Sequence, residues 1–399
     1  MLNSKIGLNI FVCLLMVCSL LELTIVTGTI LTLFRAIIFA WSFYFFLRTL
    51  VNIKREPAII IALAIFYILL AIYGIIVVYE GKTFAIGTRA SLKVVTISYI
   101  VKVSWSLLPI FVFYDYAKKG ILNRQVMTKW LPLFLIVVMA CYFLMRLIVM
   151  EKHDEDEVTN NGGYLVLSLV PMLLFLKPKS FKQYALFAGL FLLIFLSMKR
   201  GAILISLVVA VIYFLYLFKD SKRTSRIGVI LALVVGLFGA YYLFDRMMTS
   251  SYYFQQRFDD TLEGDTNGRD FIQGFFLNYY INQYSLKEQL LGGGANATLE
   301  LLNFYAHCDW LELAINQGLL GMGLYFIFWV TFIKLLFKKK TPPDVKACLI
   351  ILFFIYFMKT IFSMSYTEYN LYSSITLGYC ISMSCQHDDK KRIALLKLR

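Results

Sequence analysis

The sequence predicts an all-α polytopic membrane protein with about twelve transmembrane helices and one large extramembrane loop containing short helices. Three observations carry this expectation. Of the 399 residues 60% are hydrophobic and only 16% charged, and the mean hydropathy is +0.73, outside the range of soluble domains. The apolar residues fall in runs, and a helix needs roughly 20 mostly apolar residues to cross the bilayer core. Cations gather in the short segments between alternate runs.

Taken in order, the runs are Ile6 to Thr27, Ile30 to Leu50, Pro57 to Tyr79, Val94 to Tyr114 and Trp130 to Met150. They continue with Gly163 to Leu176, Phe181 to Leu196, Ala202 to Phe218, Ile227 to Phe244, Leu319 to Phe337, Val345 to Met364 and Leu371 to Cys385. The sixth and seventh are the shortest for a span. The first run lacks an A-x-A end and leads at once into a second, so it is expected to be a retained helix rather than a cleaved signal. The division that follows is residues 1–244 for helices one to nine, 245–317 for a large outer loop, 318–385 for helices ten to twelve, and 386–399 for a tail.

Charge sets the orientation. Lys54 and Arg55, Lys118 and Lys119, Lys177 and Lys179, the run Lys219 to Arg226, Lys338 to Lys340 and the tail Lys390 to Arg392 alternate onto one side, which the positive-inside rule makes cytoplasmic. The acidic stretch Glu151 to Glu157 and the segment from Asp245 to Gln317 then face outward, and both termini are cytoplasmic. The excess of Lys and Arg, 39 against 24 acidic residues, is therefore topological, and no nucleic-acid partner is expected. Of seven cysteines only Cys308 lies in a large loop, and their spacing gives neither a disulfide framework nor a zinc site. No repeat of fixed period is visible.

Against this pattern the informative residues are cations out of place. Lys199 and Arg200, in Ser197-Met198-Lys199-Arg200-Gly201, fall in a turn that alternation puts on the outer face. Arg35, Lys102, Arg146 and Lys359 lie inside spans, toward their outer halves. An anionic ligand such as a diphosphate held near headgroup depth would account for all six, and Arg suits phosphate because its planar fork matches the oxygens. The alternative is that they snorkel to the interface or pair with acids such as Glu22. His307 is one of three histidines and stands at the outer start of a span, where it could take a proton from an attacking hydroxyl or serve only as an interface histidine. Gly292-Gly293-Gly294 would let a backbone approach a phosphate or simply form a turn.

Four motifs resemble those of the O-antigen polymerase and ligase family. Ser197 to Gly201 resembles the family's S-x-R-G turn, and Asn267-Gly268-Arg269 its outer-loop arginine. Leu290 to Gly294 resembles P-L-x-G-x-G, and Ala306 to Gly321 resembles H-N-x-x-L-x-x-x-x-x-x-G-x-x-G, with Cys308 at the family's Asn and Lys199 as an added cation. All four lie in the second half of the chain. The resemblance implies an inner-membrane glycosyltransferase with an undecaprenyl-diphosphate-linked oligosaccharide donor, a site on the periplasmic face between the large loop and the membrane, and no metal or other cofactor. It implies that Arg200 and Arg269 contact the diphosphate and His307 assists the acceptor hydroxyl, with Lys199, Arg257, Lys102, Arg35, Arg146 and Lys359 as further substrate-binding positions. Membrane lipid and a chain-length regulator protein are the remaining expected partners.

Polymerase is preferred over ligase to lipid A core because the chain is Lys-rich, aromatic-rich and weakly patterned, a look shared by many polymerases. A flippase for lipid-linked oligosaccharide would also have about twelve spans and intramembrane cations, but would not need an outer loop of roughly 70 residues, and its internal repeats are not evident. A scaffold role is the reading without chemistry. An inverting displacement is expected, with Asp259, Asp260 and Asp309 leaving a covalent route open.

Overall fold

The computed structural model describes residues 4–21, 29–86, 89–95, 97–150, 161–176, 181–219, 223–250, 252, 255–256, 258–259 and 268–396. Five helices follow the first five apolar runs: α1 (Lys5–Leu21), α2 (Thr29–Val51), α3 (Ala58–Tyr79), α4 (Ile97–Lys118) and α5 (Arg124–Met150). The sixth run is divided. Its helix α6 (Gly162–Leu167) gives way to a 3-10 segment, Val170–Phe175, where Pro171 has no N–H to continue the α-helical ladder. The next helices are α7 (Phe181–Leu196), α8 (Arg200–Lys219) and α9 (Arg223–Ser250). Three short elements come after them: α10 (Arg269–Asn282), α11 (Leu286–Leu291) and α12 (Ala297–Leu302). The chain closes with α13 (Asp309–Leu336), α14 (Pro343–Phe362) and α15 (Leu371–Leu396).

One element departs from the all-helical expectation. An antiparallel hairpin, β1 (Thr83–Ile86) and β2 (Arg89–Val95), precedes α4, with Thr83 opposite Val95 and Phe84 opposite Val94. Val94 and Val95, expected at the start of the fourth span, instead close β2. Paired β-branched residues favour the strand, and Gly81, with φ of +65°, turns the chain out of α3 to begin it.

Among the described residues six helices are long and apolar enough to cross a membrane: Ile30–Val51, Ala58–Tyr79, Tyr99–Lys118, Arg124–Leu147, Arg200–Lys219 and Asp309–Leu336. Shorter apolar helices cover Lys5–Leu21, Gly162–Phe175 and Lys182–Leu196. Leu33, Ile136 and Leu215 are each more than half exposed on these helices. Such a surface would aggregate in water, whereas lipid covers it. The chain is a helical membrane protein.

Inside, α15 packs along α4. The approach is close because α15 presents small residues: Ser373, Ser374, Thr376, Ser382 and Ser384 are buried, and a Cβ at Gly378 would come 2.7 Å from the Tyr114 backbone nitrogen. Two of the hydroxyls are satisfied along the helix itself, Thr376 donating to the Tyr372 carbonyl at 2.7 Å and Ser384 to that of Cys380 at 2.8 Å.

The α13 helix is broken at Gly318, whose backbone takes φ 63°, ψ −160°. Its last part, from Leu319, is the expected tenth span, and Asp309–Gln317 is an additional helical arm. The glycine run Gly292–Gly294 is neither a plain turn nor an open cradle. It lies against the break, with Gly293 N–H donating to the Ile315 carbonyl at 2.8 Å and Gly294 N–H to that of Asn316 at 3.0 Å. A Cβ at Gly292 would come within 2.4 Å of the Asn316 carbonyl, and one at Gly318 within 2.5 Å of the Leu290 carbonyl carbon. Only glycine permits that backbone-to-backbone contact.

The opposite helix ends carry the cation-rich loops. There Lys118 pairs with Glu56 at 2.9 Å and Tyr114 donates to the same carboxylate at 2.6 Å. Arg124, at the start of α5, reaches the Phe175 and Leu176 carbonyls at 2.8 and 3.0 Å and Asp344, at the start of α14, at 3.2 Å. The 3-10 segment is thereby joined to α5 and α14.

Candidate functional site

At the other helix ends, four segments bring charge together. Lys102 extends from the first turns of α4 and lies 4.8 Å from the centre of the Tyr305 ring. Lys199 stands in the turn between α7 and α8. Arg269 is the first residue of α10, and Lys359 lies in the last turn of α14. Between them are His307, in the loop before α13, and Glu368, in the loop Ser363–Asn370 between α14 and α15. Charge on Arg269, Lys199, Lys102 and Glu368 acts on His307, and charge on Lys359, Lys102 and Lys199 acts on Glu368.

Local sequence explains each placement. In the α7–α8 turn Ser197 is buried and donates to the Ile194 carbonyl at 2.6 Å, while its hydroxyl accepts from Lys199 N–H at 3.3 Å. Met198 takes a left-handed backbone, φ 51°. The turn lies against α6 so closely that a Cβ at Gly163 would come 2.4 Å from Ser197 Oγ, and one at Gly201 would come 2.3 Å from Tyr164 Oη. The Ser197–Gly201 turn thus serves a tight contact at glycine as well as presenting cations.

His307 also has a left-handed backbone, φ 53°, an uncommon state for a non-glycine residue. Its flanking residues hold it. Ala306 N–H donates to buried Glu312 at 2.8 Å, and Glu312 accepts two more bonds, from Thr298 at 2.7 Å and Asn316 at 2.8 Å. Asp309, fully buried, accepts from the Tyr325 hydroxyl at 2.6 Å and from the N–H groups of Ser365 and Tyr366 at 2.8 and 3.3 Å. Asp309 is therefore committed to structure and is not the covalent nucleophile that the sequence left open. It also ties the start of α13, just after His307, to the Glu368 loop, and Trp310, which donates to Thr360 at 3.1 Å, ties the start of α13 to the end of α14.

Lys359 is buried, and its ammonium meets Glu368 at 2.5 Å and stands 4.8 Å from the centre of the Tyr164 ring. Glu368 keeps 41% of its side chain accessible, on the recess that these cations surround. Burial alone would raise its carboxyl, but the attraction of Lys359, with Lys102 and Lys199, outweighs burial and holds it below the usual carboxylate value. Burial lowers the His307 imidazole, and Arg269, Lys199 and Lys102 push it the same way against Glu368. Near neutral pH the recess therefore holds a neutral imidazole and a carboxylate among Lys102, Lys199, Arg269 and Lys359.

Of the residues expected from sequence, the structure brings together His307, Arg269, Lys199, Lys102 and Lys359. Arg200 opens α8 directly beside Lys199, and neighbouring Gly201 meets Tyr164. Arg35 on α2 and Arg146 on α5 are not among the leading charges on His307 or Glu368, and Arg146 lies on the exposed surface of its helix and acts on Tyr142. Arg257 lies outside the described residues. Sequence reasoning missed Glu368, Tyr164 and Tyr305. A lone glutamate in an outer loop reads as solvated, although a lysine inside a span calls for an anionic partner, and Lys359 is nine residues away.

No protein-family model matches the chain, and no curated protein matches it.

Proposed function

We propose that this chain is a polymerase of surface-polysaccharide repeat units in the bacterial inner membrane. It transfers a glycan from an undecaprenyl-diphosphate donor to a hydroxyl of the terminal sugar on a second lipid-linked unit, on the periplasmic side, without a metal. The observation that carries the reading is the recess where Lys102, Lys199, Arg269 and Lys359, from four separate segments, converge on His307 and Glu368. Lys199 and Arg200, Arg269 and His307 belong to three of the motifs that resemble the O-antigen polymerase and ligase pattern, and the fourth, Leu290–Gly294, packs on the Ile315–Gly318 stretch of the helix that follows His307.

The chemistry follows from the charge. A glycan on a polyprenyl diphosphate carries its phosphates near headgroup depth, with the lipid tail in the bilayer. As the sugar–phosphate bond breaks, negative charge grows on the diphosphate, and fixed cations in a partly dehydrated recess stabilise that change more than the ground state. A neutral His307 can hydrogen-bond the acceptor hydroxyl and steer its oxygen toward the anomeric carbon. The cation-rich loops lie at the opposite helix ends, among them Lys118, Lys119 and Arg124, which supports a periplasmic recess by the positive-inside rule.

The test is a purified, liposome-reconstituted chain supplied with lipid-linked repeat units isolated from cells that express it. A ladder of lengthened lipid-linked glycan is the expected product. Transfer only to added lipid A core would make it a ligase, and units carried across the bilayer without lengthening would make it a flippase.

A further inference from the structure

Glu368 is an acidic group of the recess that the mechanism above does not use, and its setting differs from those of Asp309 and Glu312. Asp309 accepts three hydrogen bonds and Glu312 three, and both are fully buried. Glu368 has one short contact, to Lys359, and its remaining surface is open to the recess.

Its position is set by a clamp from three helices. Asp309 on α13 holds the Ser365 and Tyr366 N–H groups. Ser106 on α4 donates to the Tyr366 carbonyl at 2.9 Å and accepts from Tyr369 N–H at 2.8 Å. Asn370 donates to Ser168, just beyond α6, at 3.0 Å, and Glu368 N–H donates to the Ser365 carbonyl at 3.0 Å. A loop tethered on both sides of one half-open carboxylate is the support that a reacting group requires and that a solvated loop acid does not.

Resting on the polymerase reading, we propose that Glu368 is the general base of the transfer. The acceptor O–H gives its proton to the open carboxylate oxygen as the acceptor oxygen bonds to the anomeric carbon. The bond from that carbon to the diphosphate breaks, and its electron pair leaves on the diphosphate. The new carboxylic acid then returns its proton to water. Inverting transfer at an anomeric carbon calls for a base opposite the leaving group, and a carboxylate is the usual one.

The division of roles with His307 follows from the charges around each. His307 is lowered by burial and by Arg269, Lys199 and Lys102, so protonating it adds a further positive charge to a cationic surround. Protonating Glu368 adds none, since it removes a negative charge. The diphosphate would also draw on Lys359, Lys102 and Lys199, the cations that hold Glu368 ionised. Donor binding therefore weakens their hold on the carboxylate and makes it a stronger base when an acceptor is to be activated.

The experiment compares wild type, Glu368→Gln, Glu368→Ala, Lys359→Gln, the double variant Lys359→Gln/Glu368→Gln and His307→Gln in the reconstituted ladder assay, at matched protein level. Binding of inorganic diphosphate is measured on each. Glu368→Gln should lose at least 100-fold in turnover while still binding inorganic diphosphate. External formate should restore part of the Glu368→Ala rate and none of the His307→Gln rate. If Glu368 serves only as the counter-ion of Lys359, it becomes dispensable once Lys359 is gone, and Lys359→Gln and the double variant will turn over equally. A further fall in the double variant supports the base role, and equality overturns it. Undiminished product from Glu368→Gln also overturns it, leaving the polymerase reading intact. No product from wild type removes the reading and this role together.

Discussion

Glu312 offers the sharpest test of how the site is held, because its three hydrogen bonds join three segments. Its carboxylate receives Thr298 from α12, Ala306 from the His307 loop and Asn316 from its own helix. In Glu312→Gln the amide oxygen can keep the Thr298 and Asn316 bonds only if its NH2 turns toward Ala306 N–H, which is also a donor. One charge-assisted bond is then lost and a buried donor is left unsatisfied, at about 1–3 kcal/mol. Glu312→Ala removes all three, at about 1.5–3 kcal/mol each for bonds to a charged acceptor, so a loss of more than about 4 kcal/mol is expected. Thermal unfolding in detergent should show Gln lowering the midpoint by a few degrees and Ala by several times as much. Ala306 precedes His307, so both variants should also slow the proposed glycan transfer beyond their loss of folded protein. An Ala variant that melts with wild type would refute the claim that this carboxylate anchors the His307 loop.

Other expectations follow from the same geometry. Arg200→Lys keeps the charge but loses the bidentate fork, so it should lower turnover at saturating donor about tenfold or more if Arg200 grips diphosphate, with Arg200→Ala worse, whereas a snorkelling residue would tolerate Lys. An impermeant thiol reagent on intact spheroplasts should label a cysteine at position 269 and not at 222, and the reverse would invert the topology. Gly318→Ala places a Cβ 2.5 Å from the Leu290 carbonyl carbon and 2.6 Å from Gly292 N at positive φ, so the folded fraction in size-exclusion chromatography should collapse. Folding lowers the His307 pKa, so the unfolded chain binds that proton more readily. Its contribution to stability is then full above about pH 6.5 and is lost as pH falls through the lower folded value. The melting temperature of His307→Gln should accordingly decline less than that of wild type from pH 7 to pH 5.

The helices were legible because lipid imposes a length and a composition that a single sequence displays directly. Twelve spans were expected, and six of the described helices are long and apolar enough to cross a membrane; the sixth run is interrupted by Pro171, which hydropathy does not register. The β-hairpin was hidden for a similar reason: Val94 and Val95 are apolar enough to extend the neighbouring run, and strand pairing depends on partners ten and twelve residues away. Motifs located the turn at Ser197–Gly201 and the segment from Ala306, but not their reasons. Gly163 and Gly201 matter through contacts with Ser197 and Tyr164, and the Gly292–Gly294 run matters through the break at Gly318, a pairing of distant backbones that spacing does not reveal.

Charge was legible where it broke a rule and hidden where it obeyed one. Lys102, Lys199 and Lys359 drew attention because cations at those positions oppose the topological bias. Glu368, an acid in a loop expected on the outer side, opposes nothing, yet Lys359 is buried and makes its short ionic contact there. A buried ammonium with no anion would be expelled or neutralised, so a lysine predicted inside a span is in effect a prediction of a carboxylate nearby. Asp309 and Glu312 show the converse. They stand in the most motif-like segment of the chain and invite a catalytic reading, but hydrogen bonds occupy both. What separates a structural acid from a reactive one is how many of its lone pairs are already engaged. Among Asp309, Glu312 and Glu368, only Glu368 remains largely open to the recess.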